Sequence, residues 1–373
     1  MDSPYNKYPT NQICKGLKVL DLSSILAGPL CASFFAELGA EVVKIENKQT
    51  NGDATRQWKL PKEEKDKPFS AYYHSANFDK KILLLDLTAT TDRSEVEKIL
   101  SQSDIVISNF QKKTAQKLGF HPDEILKKYP GIIFAQLSAY TWDDPRPGYD
   151  LVMQGETGWI SMNGTDSDHI SKIPVAIVDI FAAHQMKEAI LLALWQKATT
   201  SIGSIIHVSL YKSAVSGLAN QASNYINAGH IPQPIGTLHP NIAPYGDLFT
   251  SEDGIRFLLA VGSDDQFKKL WFTLNMDQST YPNFEKNSDR VKFRSALQNL
   301  LQQSFMKLNL AEIETMISDI NVPFCRILSI NEVFDHPLAK EMILPNDAIE
   351  SSKYYLSNVA FEIFDSKRNR RKF

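Results

Sequence analysis

Residues 16–46 read GLKVLDLSSILAGPLCASFFAELGAEVVKIE, and this stretch decides the fold class. The aliphatic run from Leu17 to Leu22 predicts a strand. A helix is predicted from about Gly28 to Leu38, because Gly39 follows it as a typical helix stop. A second strand is predicted from Glu41 to Ile45. The order strand, helix, strand is that of a βαβ unit.

The same alternation continues along the chain. Further strand-like runs are KILLLDL (81–87), DIVISNF (104–110) and GIIFAQLS (131–138), with helical segments between them. Strands that alternate with helices predict a doubly wound α/β fold, in which helices cover a parallel sheet. Ligands of such sheets bind beyond the carboxyl ends of the strands. The loops expected to form the site are those after Leu22, Ile45, Phe110 and Ser138.

The second half of the chain predicts a smaller unit. After a helix that reaches about Ala228, the segment AGHIPQPIGTLHPNIAPYG (228–246) has the composition of a linker and loop, so a domain boundary is expected near residue 230. A strand at Phe257 to Val261 follows, then helices around 264–274, 291–304 and 310–318. Strand character returns at NVPFCRILS (321–329). The C-terminal SKRNRRKF (366–373) is expected to be a solvated basic tail.

Composition excludes several classes of protein. Forty Lys and Arg residues against 43 Asp and Glu give a net charge of -3, so nothing global attracts a nucleic acid or an anionic membrane. The cysteines Cys14, Cys31 and Cys325 lack the spacing of a disulfide framework or a zinc site. The N-terminus has no apolar signal core, and no apolar run is long enough to span a bilayer. We expect a protein of the cytoplasm without nucleic-acid or membrane partners.

The common catalytic motifs do not occur. The first strand is followed by Ala27-Gly28-Pro29 rather than GxGxxG, which disfavours a nicotinamide-dependent Rossmann enzyme. The chain also has no GxxxxGK[ST], GxSxG or HExxH, so nucleotide hydrolysis, α/β-hydrolase chemistry and zinc peptidase chemistry have no support. No metal ligands are predicted.

Lysines expected to follow the predicted strands are candidates for an anion site. They are Lys48, Lys80, Lys81, Lys112, Lys113 and Lys117. Each alone is typical of a surface lysine. If the strand ends converge, the group would suit a polyphosphate ligand, and Asn77 and Asn109 could bind polar groups of that ligand. The alternative for both asparagines is an ordinary turn residue.

Asp179 is the single acid in the otherwise apolar segment that leads into a predicted helix, within PVAIVDIFAAHQMKEAILLALW (174–195). Residues 173–178 have strand character, and apolar residues recur at roughly helical spacing after them. Spacing alone favours Asp179 as the N-cap of this helix. The alternative is a carboxylate held at the end of a strand as a nucleophile or base.

Seven ordered motifs carry a resemblance to a known family. They are VLDLSSILAGPLCASFFAELGAEVVKIE (19–46), NGDATR (51–56), NFDKKILLLDL (77–87), SDIVISNF (103–110), RPGYDLVMQGETG (146–158), VDIFAAHQMKEAILLALW (178–195) and HPNIAPY (239–245). From about residue 16 to 340, the chain resembles the family III CoA-transferases. These include formyl-CoA transferase and the carnitine CoA-transferases, and their fold is shared by α-methylacyl-CoA racemase.

The resemblance implies an architecture. A large Rossmann-like domain that binds CoA would take residues 1–228, a small α/β domain with its linkers would take residues 229–320, and residues 321–373 would return to the large domain and end in the tail. The resemblance also implies a homodimer whose two chains are interlocked like links of a chain.

The resemblance gives Asp179 the role of nucleophile. In the family, this carboxylate attacks an acyl-CoA thioester to form a mixed anhydride, and the CoA thiolate returns to form an aspartyl-CoA thioester, which an acceptor carboxylate displaces. The substrates would be an acyl-CoA and a carboxylic acid. Coenzyme A is then substrate and product, with no permanently bound cofactor. The amides of a helix N-terminus can keep such an Asp ionised.

The stretches implied to contact CoA contain Ala27, Lys48, Asn77, Lys80, Lys81, Asn109, Phe110, Lys117 and Tyr149. The match to formyl-CoA transferase is imperfect. Asn47 and Lys48 replace an arginine after the second strand, and Lys117 replaces another, so positive charge is kept but the bidentate fork is lost. GTLHPN (236–241) stands where formyl-CoA transferase has a glycine-rich loop, so formyl and oxalyl substrates are not implied.

Two alternatives remain open from the sequence. A racemase of this fold pairs the Asp with a His from a GHD motif, whereas this chain has Gly148-Tyr149-Asp150, and its His184 and His239 are better explained as packed and loop residues. A non-catalytic CoA-binding homologue is the second alternative. Asp179 argues against it, but the C-terminus lacks the Gly-Glu-His segment usual in the family.

Overall fold

The computed structural model describes residues 6–7, 12–346 and 353–365, so the predicted basic tail at 366–373 lies outside the described residues. The strands are β1 Asn6–Lys7, β2 Lys18–Asp21, β3 Glu41–Asn47, β4 Lys81–Leu85, β5 Ile105–Ser108, β6 Ile133–Ser138, β7 Ser204–Ser209, β8 Tyr245–Thr250, β9 Arg256–Ala260, β10 Phe324–Arg326, β11 Ile343–Asn346, β12 Lys353–Leu356 and β13 Phe364–Asp365. The helices are α1 Ala27–Glu37, α2 Ala71–His74, α3 Thr90–Leu100, α4 Lys112–Leu118, α5 Pro122–Lys128, α6 Asp150–Glu156, α7 Ile177–Thr200, α8 Leu210–Ser216, α9 Ala219–Ala228, α10 Asp264–Thr273, α11 Asn287–Lys292, α12 Arg294–Phe305, α13 Leu310–Asp319, α14 Ile330–Val333 and α15 Pro337–Glu341.

The central sheet has the order β4-β3-β2-β5-β6-β7, and every neighbouring pair in it is parallel. The chain runs outward from β2 to one edge and then crosses back to β5, so the direction of winding reverses between β2 and β5. This is the doubly wound α/β topology that the sequence predicts. A ligand is expected where the loops after these two strands separate.

Side chains alternate across the sheet and build two cores. Val19 and Ile105 point to the side covered by α1, α7 and α8, whereas Leu20 and Val106 point to the side covered by α3 and α5. This period of two is the geometry of a pleated strand with both faces buried. The strands therefore form a fixed platform for the loops at their carboxyl ends.

The chain divides into two compact units. Unit 1 takes 1–159, 172–231 and 338–373, and unit 2 takes 160–171 and 232–337. Within unit 2, the antiparallel sheet β10-β9-β8 packs with α10, α12 and α13 around an aromatic core that includes Phe257, Trp271 and Phe305. The site described below lies within unit 1.

One predicted element is wrong. Residues 173–176 are not a strand, and α7 begins at Ile177, so Asp179 lies inside the first turn of the helix rather than before it. The N-cap is Ala176, whose side chain has no capping group. None of the helices in the described part of the chain is both long enough and apolar enough to cross a membrane.

Candidate active site

An open cleft lies at the carboxyl edge of the central sheet. One part, of about 550 Å³, lies between the loops after β5 and β6, and an adjoining part, of about 360 Å³, lies between the loops after β2, β3 and β4. Both parts share Ser24, Ile25, Phe110 and Thr114 as lining residues. The cleft therefore straddles the point where the winding of the sheet reverses, which is where doubly wound folds bind ligands.

The loop between β2 and α1 divides the two parts of the cleft. Ile25 has a φ of 74°, which is a strained conformation for a β-branched residue. Its backbone N–H donates to Asp53 Oδ2 at 3.1 Å. The Asn109 side chain binds both backbone groups of Ser24, the residue before Ile25. It accepts from Ser24 N–H at 3.2 Å and donates to Ser24 O at 3.0 Å. These bonds from distant segments keep the strained loop in place.

Three buried ion pairs support this loop from below. Asp21 pairs with Lys80 at 2.9 Å, Asp53 with Lys44 at 3.1 Å and Glu46 with Arg56 at 2.6 Å. We call these six residues the paired cluster. Burial opposes ionisation of Asp21, but the charges of Lys80 and Lys44 outweigh it and hold the pKa of this carboxyl below its usual range. Burial lowers the pKa of Lys80 to about 8, which leaves the lysine protonated at neutral pH.

Asp179 is held differently from the acids of the paired cluster. Its side chain is buried, with 7% of the residue exposed, and no hydrogen bond to its carboxylate and no ion pair is found among the described residues. Burial, and secondly the negative charge of Asp150, raise the pKa of Asp179 to about 7. A carboxylate with this pKa is partly ionised at neutral pH and poorly solvated, which are properties of a reactive group.

The helix that carries Asp179 is capped from a distance. Asp150 Oδ1 accepts a hydrogen bond from Val178 N–H at 2.8 Å, across 28 residues of chain. The sequence-based interpretation of Asp179 as the N-cap is therefore wrong, because Asp150 satisfies the first turn and leaves the Asp179 carboxylate without a capping role. The local spacing could not reveal this, since the capping residue lies on another helix.

A tyrosine and a tryptophan lie near the two acids. Burial raises the pKa of Tyr72, and the negative charges of Asp179, Asp150 and Asp53 raise it further. The Tyr72 hydroxyl therefore stays protonated and lies within the field of all three carboxylates. The ring of Trp58 packs edge-on against Tyr72, with 5.1 Å between ring centroids. Neither aromatic residue stood out in the sequence, because no local pattern marks it.

The structure brings together some of the residues expected to contact CoA. Asn109, Phe110 and Tyr149 line the cleft, and 59% of Tyr149 is exposed. Lys48 begins a short 3-10 helix directly after β3, beside the cleft-lining residues Asn47 and Gln49. Ala27 begins α1 and is buried beneath the loop. These five stay candidates for CoA binding.

Four others lie elsewhere in the described structure. Lys80 Nζ is buried and contacts Asp21 Oδ2, Pro29 O, Ala76 O and Asn77 Oδ1, while Asn77 Nδ2 donates to Tyr73 O. Lys81 begins β4, so it lies four residues from the carboxyl end of that strand, about 13 Å from the cleft edge. Lys117 is exposed on α4 but does not line the cleft. The expected convergence of all the lysines is therefore not found.

The cations at the cleft come from α4 and the loop after β6. Lys112 pairs with Asp143, and Arg146 pairs with Asp144 at 2.7 Å while stacking on Tyr140. Lys113 lines the same part of the cleft and has no ion-pair partner among the described residues. Arg146 was missed as a candidate cation in the sequence, although its segment DDPRPG (143–148) lies in the loop after a predicted strand.

Comparison with known proteins identifies the family. The profile of CoA-transferase family III matches residues 14–363. The chain belongs to CoA-transferase family III. A succinate–glutarate CoA-transferase of Agrobacterium fabrum is 31% identical over 90% of this chain and 84% of its own length. An acyl-CoA transferase of Fusarium pseudograminearum is 31% identical over 94% of this chain and 79% of its own.

A solved structure supports the same assignment. The crystal structure of a CaiB/BaiF family protein from Brucella suis superposes with a TM-score of 0.78 at 31% identity, covering 95% of this chain and 93% of the other. The family resemblance and the α/β fold predicted from the sequence are therefore confirmed. Membership of family III makes CoA thioesters the substrate class, and no His, Cys, Asp and Glu cluster among the described residues could hold a metal ion.

Proposed function

We propose that this protein moves CoA from an acyl-CoA thioester to a carboxylic acid and that Asp179 is its nucleophile. An Asp179 oxygen attacks the thioester carbon, the C–S bond breaks and CoA thiolate leaves an aspartyl anhydride. The thiolate attacks the aspartyl carbon of the anhydride, which releases the donor acid and forms an aspartyl-CoA thioester. The acceptor carboxylate attacks that thioester, and the thiolate then takes the acceptor acyl group and frees Asp179.

The observation that carries the proposal is the isolation of the Asp179 carboxylate. It is buried, has no hydrogen bond or ion pair among the described residues, and has its pKa raised to about 7 by burial and then by Asp150. A desolvated carboxylate is a stronger nucleophile than a hydrated one, and exclusion of water protects an anhydride. One thioester is broken as another is made, so the exchange needs no ATP.

The cleft supports binding of the CoA portion of the substrate. Its two parts together are within the size range of small-molecule sites, and Lys113 offers a cation that is not already paired within the described structure. Phe110 lines both parts of the cleft, and Asn109 lines the larger part. We propose that the CoA phosphates bind along this edge, on Lys48, Lys112, Lys113 and Arg146, rather than on Lys80 or Lys81.

We also propose that the working form is a homodimer with interlocked chains, as the resemblance implies. In unit 1, α7 and α9 expose large apolar side chains that a partner would cover. These are Leu191, Leu192, Trp195, Tyr225 and Ile226, with Trp195 76% exposed. Threaded chains separate only after local unfolding, so the dimer should persist on dilution. A monomer in analytical ultracentrifugation at low micromolar concentration would contradict this.

The catalytic proposal is tested by trapping. The purified protein is mixed with acyl-CoA donors in turn and with succinate, glutarate and other acids as acceptors, and exchange is read by mass spectrometry. Dicarboxylates come first because one relative is named for succinate and glutarate. With an active donor, hydroxylamine or borohydride should modify Asp179. Exchange by a protein whose label maps to another residue would refute the assigned nucleophile, and absence of exchange with every donor would favour a non-catalytic homologue.

A further inference from the structure

The backbone that leads into Asp179 is fixed by two side chains of α6. Asp150 Oδ1 accepts from Val178 N–H at 2.8 Å, and Asp150 Oδ2 accepts from Gln154 Nε2 at 2.7 Å. Gln154 is buried, and its Oε1 accepts from Ile173 N–H at 2.9 Å. One hydrogen-bonded pair therefore holds both ends of the segment 173–178. Asp179 lies in the first turn of α7, and Asp150 caps that turn, so the position of Asp179 depends on Asp150.

We propose that Asp150 is a positioning residue for Asp179, which caps the first turn of α7 and also sets the charge that the nucleophile experiences. Asn or Ser would suffice if a cap were the whole role, since either offers an oxygen to the amide. An acid adds a negative charge next to a second, poorly solvated acid, which costs stability. The inference rests on the proposed function of Asp179 and adds to it the origin of its reactivity.

Other groups around α7 do not supply this charge. The titratable side chains on elements packed against α7 are Cys31 and Glu37 on α1, Asp150 and Glu156 on α6, His207 on β7, and Tyr211 and Lys212 on α8, and Tyr72 lies within the field of Asp179. Besides Asp179, α7 itself carries His184, Lys187, Glu188 and Lys197, and Lys197 pairs with Asp104. Among the described residues, Asp150 is the one whose charge acts on the pKa of Asp179, after the larger effect of burial. Lys187 interacts with Cys31 and Glu37 rather than with Asp179.

The charge has a defined consequence for reactivity. A like charge disfavours ionisation, so it raises the basicity of the Asp179 carboxylate and with it the nucleophilicity of the ionised form. The cost is that a smaller fraction is ionised below neutral pH. Removal of the charge should therefore move the acid limb of the pH profile of kcat/KM to lower pH and reduce the rate on its plateau.

Three substitutions at one position separate the two roles. Asp150→Asn keeps an oxygen for Val178 N–H but removes the charge and turns its amide nitrogen towards Gln154 Nε2. Its acid limb should therefore shift downward by up to about one pH unit, and its melting temperature should fall less than that of Asp150→Ala. Asp150→Glu keeps the charge and should restore the limb of the pH profile. Asp150→Ala removes cap and charge together, so it should combine the shifted limb with a lower melting temperature.

A matched control removes a cap without touching the nucleophile. Ser263 caps α10 in unit 2 by accepting from Gln266 N–H. Ser263→Ala should lower the melting temperature as loss of a cap does, but it should leave the pH profile unchanged. If a general loss of stability moved the acid limb of the pH profile, it would move the limb of Ser263→Ala as well. A shift of the limb in Asp150→Asn alone is therefore electrostatic.

A measurement that does not require turnover tests the same inference independently. The melting temperature is measured as a function of pH with and without Asp179→Asn, and the difference between the two curves reports the pKa of Asp179. The same pair of measurements is then repeated in the Asp150→Asn background. An unchanged Asp179 titration and an unchanged pH profile in Asp150→Asn would overturn the inference. If Asp179→Asn itself keeps the normal transferase rate, the proposed function fails instead, so the two failures are distinguishable.

Discussion

Unit 1 buries two kinds of carboxylate, one with a cation as partner and one without. In the paired cluster, Asp21, Glu46 and Asp53 each have a cation as partner, at 2.6–3.1 Å. Asp179 has no partner among the described residues, and its neighbour Asp150 is another acid. The pKa of Asp21 is lowered whereas that of Asp179 is raised to about 7. Pairing holds a loop in place, and isolation leaves a carboxylate free to react.

The largest effect that this comparison predicts is on turnover. Asp179→Asn keeps the shape of the side chain but removes the nucleophile, so the rate of CoA transfer should fall by several orders of magnitude, roughly 10⁴-fold or more. Folding should survive, because Asp150 caps the helix. Initial rates and circular dichroism measure both quantities. Mass spectrometry must first exclude deamidation, and a near-normal rate in the undeamidated variant would make Asp179 a structural residue.

The second prediction concerns the stability of the paired cluster. Lys80→Met leaves Asp21 buried without its cation, which should lower the free energy of unfolding by about 3–5 kcal/mol in urea titrations. Lys81→Met is the matched control, because the neighbouring lysine is exposed and should change stability by less than about 0.5 kcal/mol.

The result also decides the role of Lys80. If Lys80→Met keeps full stability but weakens CoA binding in calorimetry, the lysine contacts phosphate as the family resemblance implied. Loss of stability with unchanged affinity per folded molecule would establish it as part of the support for the β2–α1 loop.

These two lysines show how far the sequence could predict the structure. The strands from β2 to β6 were predicted within a few residues, since apolar runs and turn residues are local signals. Lys80 and Lys81 look equivalent in the sequence, yet one is buried against four oxygens and the other is exposed. The difference arises from contacts with Asp21 and Pro29, which lie more than fifty residues away.

The site shows the same limit. The importance of Asp179 was recognised through the resemblance, but its position in the helix was not, because IPVAIV (173–178) has the composition of a strand. Hydrogen bonds that Asp150 and Gln154 accept from the backbone of this segment override that preference, and the helix starts at Ile177. Contacts that are distant in sequence therefore decide the element that carries the nucleophile.

The third prediction uses pH to compare the two kinds of acid. Between about pH 4 and pH 7 the folded protein keeps a proton on Asp179 that the unfolded chain has released, since its pKa rises from 3.8 to about 7 on folding. Stability of the wild type relative to Asp179→Asn should therefore fall as pH rises through this window, by up to about 4 kcal/mol.

Asp21 should show the opposite sign. Its folded pKa is lowered, so the stability it contributes is present above the unfolded pKa and lost as pH falls through the folded value. Urea titrations of the wild type, Asp179→Asn and Asp21→Asn at several pH values measure both slopes. Parallel stability curves for the wild type and Asp179→Asn would show that Asp179 is not desolvated in solution.

The smallest predicted effect concerns the cations of the cleft, where Lys113 and Lys117 lie one helical turn apart on α4. Lys113 lines the cleft and Lys117 does not, although both are exposed. An exposed lysine that contacts a phosphate contributes about 0.5–1 kcal/mol to the binding free energy, and salt screens this contribution.

Lys113→Gln should therefore weaken CoA binding by about two- to fivefold at low salt and flatten its salt dependence. Lys117→Gln should change neither quantity in calorimetry at two salt concentrations. The reverse pattern would place the phosphates at Lys117, one of the residues that the resemblance implied, and would remove Lys113 as a phosphate contact.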